Sequence, residues 1–364
     1  MASYLKKMGS CSKSMGWKTF GRVAGRLRKK PTFPIDWKNI RSALVIRPDR
    51  LGDVVLSIPV YESIKRSFPH IQTVALVNKA YAQIFNDNPF VDEVLGYDPR
   101  RPWLLADCLN KRSFDLALTL NKKFSAGASV MAWLSGATYK AGYLHEENSW
   151  LQDVHANPES KPRHEILNNL ELLKVLSVPE IVEQPQIYFS TDEKNSTDEL
   201  LKSFGYDSQR PLILMKMGSR VREWGWAPEK FIAVVEKLLE NDATQIAFIV
   251  GPGEADEVQF ATKNMHRKPW ILPALSIKKL AALIAKSRLL FCNHTGIMHL
   301  ASATQTPTLV IFKHGEIRRW GPFGNRHIIL EERGTETLAP EIVLDAIDQL
   351  LHPTSNPSSA GISE

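Results

Sequence analysis

The segment LLFCNHTGIMHLASA, residues 289–303, carries an apolar run into Asn293, His294, Thr295 and Gly296 and then resumes at helical spacing. A buried strand that breaks at such a turn delivers main-chain amides to the first turn of a helix. There they lack intrahelical acceptors and the macrodipole favours negative charge. Gly296, without a Cβ, lets a ligand approach that backbone. The chemistry offered is anion binding, and a diphosphate is the natural guest. The plainer alternative is that Thr295 is an N-cap, Gly296 a turn glycine and His299 a residue packed against the sheet. His294 and His299 lack the i, i+4 spacing and the glutamate of a zinc helix, so no metal site is expected.

Three further strand-to-helix junctions carry polar residues. In IRPDRLGDVVLSIP, residues 46–59, Asp53 is placed either to cap a helix or to take a proton from a sugar hydroxyl, with Arg47 and Arg50 beside it. In LMKMGSRVREWGWAP, residues 214–228, Lys216, Ser219, Arg220 and Arg222 are donors suited to phosphate; a solvated charge run is the alternative. In FIVGPGEADE, residues 248–257, Gly251 and Gly253 permit close approach and Glu254 is placed to accept from ribose hydroxyls. A Gly-x-Gly alone does not make a dinucleotide fingerprint. Lys122 and Lys123, after an apolar run at 116–120, and Lys140 with His164 are candidates for an anionic acceptor or else solvated surface.

Stepping outward, these junctions need a βα scaffold. Short apolar runs at 43–47, 73–77, 93–96 and 116–120 alternate with helical patterns at 54–67, 81–86 and 125–134, followed by a helix at 164–176. Residues 178–186 read as a linker. The alternation then restarts: strands at 212–217, 245–250, 270–272, 289–292 and 308–312 and helices at 228–240, 254–265, 277–286, 297–304 and 340–351. Two doubly wound parallel sheets are the expected α/β architecture, with ligands at the carboxyl ends of the strands. The domain expectation is a basic arm over 1–38, an N-terminal domain over 39–180, a C-terminal domain over 186–338, a closing helix over 339–352 and a disordered tail over 353–364.

Composition narrows the function class. The 364 residues are 43% hydrophobic and 23% charged, without an apolar stretch that would span a bilayer or a secretory h-region, so a cytoplasmic location is expected. Three scattered cysteines support neither a disulfide framework nor a zinc knuckle. The net charge of +7 belongs to residues 1–30, which hold nine Lys and Arg and no acidic residue. Trp17, Phe20, Ala24 and Leu27 share one helical face there, opposite Lys18, Arg22, Arg26 and Lys29. That suits a helix on anionic lipid; a solvated arm and an organellar transit segment are the other readings. The body has no second basic stripe, so nucleic acid is not an expected partner.

Taken together, RLGDVVLSIP, Ser219 with Trp226 and Pro228, Gly251 to Glu254, and TGIMHLASA followed by PTLVIF resemble glycosyltransferase family nine, which includes the heptosyltransferases of the lipopolysaccharide inner core. The resemblance runs over residues 42–351. It implies a GT-B fold, two Rossmann-like domains facing a cleft, and an inverting, metal-independent enzyme. The sugar, heptose first, would pass from a nucleotide-sugar donor such as ADP-heptose to a lipopolysaccharide core or related glycolipid, with no cofactor beyond that co-substrate. By the resemblance Asp53 is the general base, Ser219 and Arg220 line the phosphate site with Arg222 as a further donor, and Glu254 faces the ribose. Leu275 then lies near the adenine, and His294, Thr295, Gly296 and His299 surround the diphosphate. Arg47, Arg50, Lys122 and Lys123 serve the acceptor, and residues 1–30 rest on the cytoplasmic membrane. Two positions depart from the family pattern: His294 stands where an aspartate is common and Trp224 where a lysine is common. The competing expectations are a sugar-nucleotide epimerase or hydrolase of the same fold and an inactive nucleotide-binding module.

Overall fold

The computed structural model describes residues 31–158, 163–219, 221–240, 243–251, 253–334 and 337–353. The basic segment over 1–30, Arg220 and the tail from 354 onward therefore lie outside the described residues. The chain divides into two compact units, Met1–Pro185 and Gln186–Glu364.

In the first unit β1 (Ser42–Arg47), α1 (Leu51–Val55), α2 (Ile58–Ser67), β2 (Gln72–Asn78), β3 (Glu93–Tyr97), α3 (Pro102–Asn110), β4 (Leu116–Thr119), α4 (Ala126–Leu134), β5 (Tyr139–Tyr143), β6 (Val154–Ala156) and α5 (Glu165–Val175) follow in order. The strands form one parallel sheet in the order β3-β2-β1-β4-β5-β6. Val45 pairs with Ala75 on one side and Leu118 on the other. Both faces of β1 and β4 are covered, which is why these strands read as unbroken apolar runs and not as alternation. Leu44, Ile46, Leu76, Leu109, Ala117 and Met131 lie in one core cluster. Trp37, just before the sheet, stacks on Phe68 at 4.3 Å and donates its indole N–H to the Leu176 carbonyl.

The second unit repeats the plan. Its elements are α6 (Thr191–Ser203), β7 (Leu212–Lys216), α7 (Pro228–Leu239), β8 (Gln245–Phe248), α8 (Ala255–Thr262), β9 (Trp270–Ile271), α9 (Ile277–Lys286), β10 (Leu289–Asn293), α10 (Ile297–Thr304), β11 (Thr308–Phe312), α11 (Ile317–Trp320), β12 (His327–Glu331) and α12 (Pro340–Leu351). The parallel order is β12-β11-β10-β7-β8-β9, the same winding as the first sheet. Phe291 of β10 stacks on Phe231 of α7 at 4.6 Å inside the core. Among the described residues no helix is long and apolar enough to cross a membrane.

The winding reverses direction between β1 and β4 in the first sheet and between β7 and β10 in the second. Crossovers leave opposite faces at such a point, so a crevice opens beyond the carboxyl ends of those strands. The expected doubly wound architecture is present. The sequence reading nevertheless missed β5, β6, β12, α3 and α6. Short strands give too little periodicity, and α6 (TDEKNSTDELLKS) is held by Thr197 and Leu201 beneath an otherwise polar surface. The single helix expected over 54–67 is two, interrupted at Leu56 and Ser57. Pro59 in the first turn of α2 lacks the N–H that would have continued α1.

Candidate functional site

Beyond the end of β1 the chain turns through Pro48 and Asp49 to α1, with Arg50 as the N-cap in extended conformation. Asp53 is the third helical residue and not the cap that its spacing suggested. Its Oδ2 accepts from the Arg50 N–H at 3.4 Å and its Oδ1 from the Arg47 guanidinium at 2.5 Å. Arg47, expected to contact an acceptor, is 3% exposed and committed inside the unit. It donates to the Leu120 carbonyl at the end of β4 and to Glu165 at 2.8 Å, and it lies 3.3 Å from Asp49. Burial works against its charged form, but Asp53, Glu165 and Asp49 outweigh that and hold the proton more tightly than usual. Burial also raises Asp49 above the usual carboxylate range, with Arg47 opposing. Across the switch point Lys122 donates to Asn168 at 3.2 Å, and Lys123 and Arg50 are exposed. Lys140 is buried and donates to the Ala137 carbonyl, while His164 caps α5 by accepting from the Ile166 N–H.

In the second unit β10 ends at Asn293, which is fully buried. Its side-chain amide donates to the Met217 carbonyl at 2.6 Å and its Oδ1 accepts from the Trp226 N–H at 2.9 Å. One side chain thus ties the ends of β7 and β10 to the loop between them. The helices α4, α6 and α9 begin with a serine that caps an amide. Like α2, α3, α7, α8 and α12, α10 begins with no side-chain cap, at Gly296. The first amides to find a carbonyl there are Met298 and His299, bonded to Thr295 and Gly296. Among the described residues, the N–H groups of Thr295, Gly296 and Ile297 have no backbone acceptor. Thr295 is not the N-cap, and its hydroxyl is shielded from solvent without a hydrogen-bond partner. His299 is buried one turn into the helix, and Leu275 is half-buried in the loop before α9.

A pocket of about 470 Å³ is lined in part by Gly218, Ser219, Arg222, Trp226, Glu254 and Lys313, and its Trp226 N–H is the one held by Asn293. That volume is ample for a nucleotide-sized ligand. Glu254 accepts from the Gly251 N–H at 2.6 Å and from Lys216, which positions its carboxylate at the wall. Gly218 leaves room for it: a Cβ there would meet Glu254 Oε1 at 2.3 Å and push the carboxylate aside. The loop is anchored by Trp226, 1% exposed, whose ring packs edge-on against Phe231 and whose Nε1–H donates to Glu332. Glu332 also accepts from Lys230, Lys313 and the Leu338 N–H. Burial alone would raise this carboxyl, but those bonds hold it below the usual range.

The two departures from the family pattern are physically joined. Trp224 stacks on His314 at 4.3 Å, and the His314 carbonyl accepts from His294 Nδ1 at 2.9 Å, while His294 stacks on Phe312 at 4.1 Å. Gly315, at φ +100°, passes so close that a Cβ would meet His294 Cε1 at 2.8 Å. Burial pushes His294 below the ordinary imidazole range against the opposing pull of the carbonyl, so the ring is neutral at pH 7.

The sequence reading overlooked Glu165, Glu332 and Lys313 and did not assign Asn293 a role. Asn293 stood inside the recognised turn, where a buried amide at a strand end was a usable signal. The others lie tens to more than a hundred residues from their partners. Because the folded-state proton affinity of Glu332 is lowered, it adds stability above the carboxylate range that is lost as pH falls through it. Denaturant titrations should show Glu332→Gln destabilising at pH 7, with the difference from the unmodified protein shrinking at pH 3. A constant difference would show that the ion pairs contribute nothing.

Residues 103–343 match the family model of glycosyltransferase family 9 (heptosyltransferase). The chain is 22% identical to lipopolysaccharide heptosyltransferase 2 of Salmonella typhimurium over 295 residues, covering 74% of this chain and 82% of that one. The fold is similar to a glycosyl transferase family 9 structure from Veillonella parvula at a TM-score of 0.78 and 22% identity, over 85% and 97% of the two chains. It is also similar to the E. coli ADP-heptose lps heptosyltransferase II at a TM-score of 0.71 and 18% identity, over 85% and 98%. The two parallel six-stranded α/β sheets, the matched family model and these relatives agree: the chain belongs to glycosyltransferase family 9 and is a heptosyltransferase-like glycosyltransferase of GT-B fold.

Proposed function

We propose that the chain transfers heptose from ADP-heptose to a lipopolysaccharide core or related glycolipid, with inversion at the anomeric carbon. The observation that carries the donor half is the start of α10, where three amides and the Thr295 hydroxyl lack protein partners, two residues after Asn293, which holds the N–H of Trp226 in the wall of a pocket with Ser219, Arg222 and Lys313. A departing diphosphate satisfies those donors, and their fixed orientation avoids reorganisation as charge develops. Arg220 and Arg222 add positive charge, Glu254 takes the ribose hydroxyls, Leu275 borders the adenine, and His294 contributes a neutral ring. The second unit, by this reading, is the donor domain.

In the first unit Asp53 is the general base. As the acceptor oxygen bonds to the anomeric carbon, its proton passes to Asp53, the carbon–oxygen bond to the diphosphate breaks, and ADP leaves with the electron pair. Arg50 and Lys123, both exposed, are available to acidic groups of the acceptor, whereas Arg47 holds the base. The enzyme works in the cytoplasm, and residues 1–30, nine of them basic, rest on the anionic face of the membrane that bears the acceptor.

In a variant that still folds, Asp53→Asn should lower turnover about 10²- to 10⁴-fold, the usual worth of a general base, while the loss of a carboxylate from buried Arg47 lowers its melting temperature. Turnover near the unmodified level would remove Asp53 from the mechanism. Among ADP, UDP and GDP, ADP should raise the melting temperature most, since saturation to about 100 times the dissociation constant adds about 2.7 kcal/mol; a larger shift with UDP or GDP would reassign the donor. Deleting residues 1–30 should reduce co-sedimentation with phosphatidylglycerol vesicles, and equal sedimentation of both forms would refute the membrane contact.

A further inference from the structure

The acidic cluster behind Asp53 has more in it than a general base requires. One guanidinium, Arg47, is shared by three carboxylates: Asp53 at 2.5 Å, Glu165 at 2.8 Å and Asp49 at 3.3 Å. Their side chains are 16%, 1% and 31% exposed. Glu165 is the first residue of α5, where the helix dipole favours its anion, and its second oxygen accepts from Asn168 at 3.2 Å. Asp49 is held by Asn121 at 2.7 Å. The other ionisable groups around the cluster are Lys122, reached through Asn168, His164 ahead of α5, Arg50 on the solvent side of α1, and Tyr61 of α2, whose buried phenol stays neutral because burial raises it.

A general base must hold its carboxylate in one direction to take a proton in the transition state. Arg47 holds Asp53, and the same guanidinium nitrogen is held from the buried side by Glu165. Resting on the assignment of Asp53 as base, we propose that Glu165 is a positioning residue for the transfer reaction: through Arg47 it fixes the orientation of the Asp53 carboxylate. Arg47 then serves as the rigid link between them, anchored to the β4 end by Leu120.

A misdirected base costs the proton-transfer step and leaves donor binding alone, so the expected effect is on kcat and not on donor KM. The test uses the full chain with ADP-heptose as donor and lipopolysaccharide core extract as acceptor, comparing Asp53→Asn, Glu165→Gln, Glu165→Asp and Asp49→Asn. Glu165→Gln should lower kcat about 3- to 10-fold with donor KM unchanged. Glu165→Asp, which keeps the ion pair with Arg47, should retain more of kcat than Glu165→Gln. Should Glu165→Gln not fold, Asp49→Asn at the exposed edge provides the reading, with a smaller fall in kcat. An unchanged kcat in folded Glu165→Gln, or in Asp49→Asn where it stands in, overturns the proposal while Asp53→Asn remains inactive. A fully active Asp53→Asn overturns the base assignment itself, and the two failures are thus distinct.

Discussion

Arg47 sits at the carboxyl end of a strand covered on both faces, and its guanidinium cannot retain a hydration shell there. A charge so placed must be matched by partners of opposite sign with well-directed hydrogen bonds, or the unit loses several kcal/mol. The partners come from three separate places in the first unit: the turn after β1, the start of α1 and the start of α5, with the β4 carbonyl completing the set. Satisfying one buried cation therefore fixes how α1 and α5 sit over the switch point. Asp53 is the partner of intermediate exposure, enclosed enough to be held yet still open to solvent.

The second unit solves a related problem with a neutral group. Asn293 has both a donor and an acceptor, and it uses them to join two strand ends to the loop carrying Trp226. Glu332 then secures the indole of Trp226 and two lysines from the other side. In α4, α6 and α9 a serine caps the first turn, whereas α2, α3, α7, α8 and α12, like α10, begin without a capping side chain.

His294 and Trp224 illustrate how two apparently independent departures become one feature. Joined through His314 they form an aromatic run that ends on Phe312 and is packed against Gly315.

The amino-acid sequence determined the winding of the two units, because strands buried on both faces are continuous apolar runs and the helices between them have caps and period. It also determined the recognised turns at Asp53 and at Thr295–Gly296, since their residue types are local signals. It could not determine that Arg47 faces inward, that Glu165 and Glu332 join the sites, or that Trp224 and His294 share His314. Those pairings span from tens of residues to more than a hundred, and the partner of a buried charge is chosen by which strand ends the sheet order brings together. Tertiary structure decided them, for ion pairing and hydrogen bonding act over a few ångströms of space and take no account of distance along the chain.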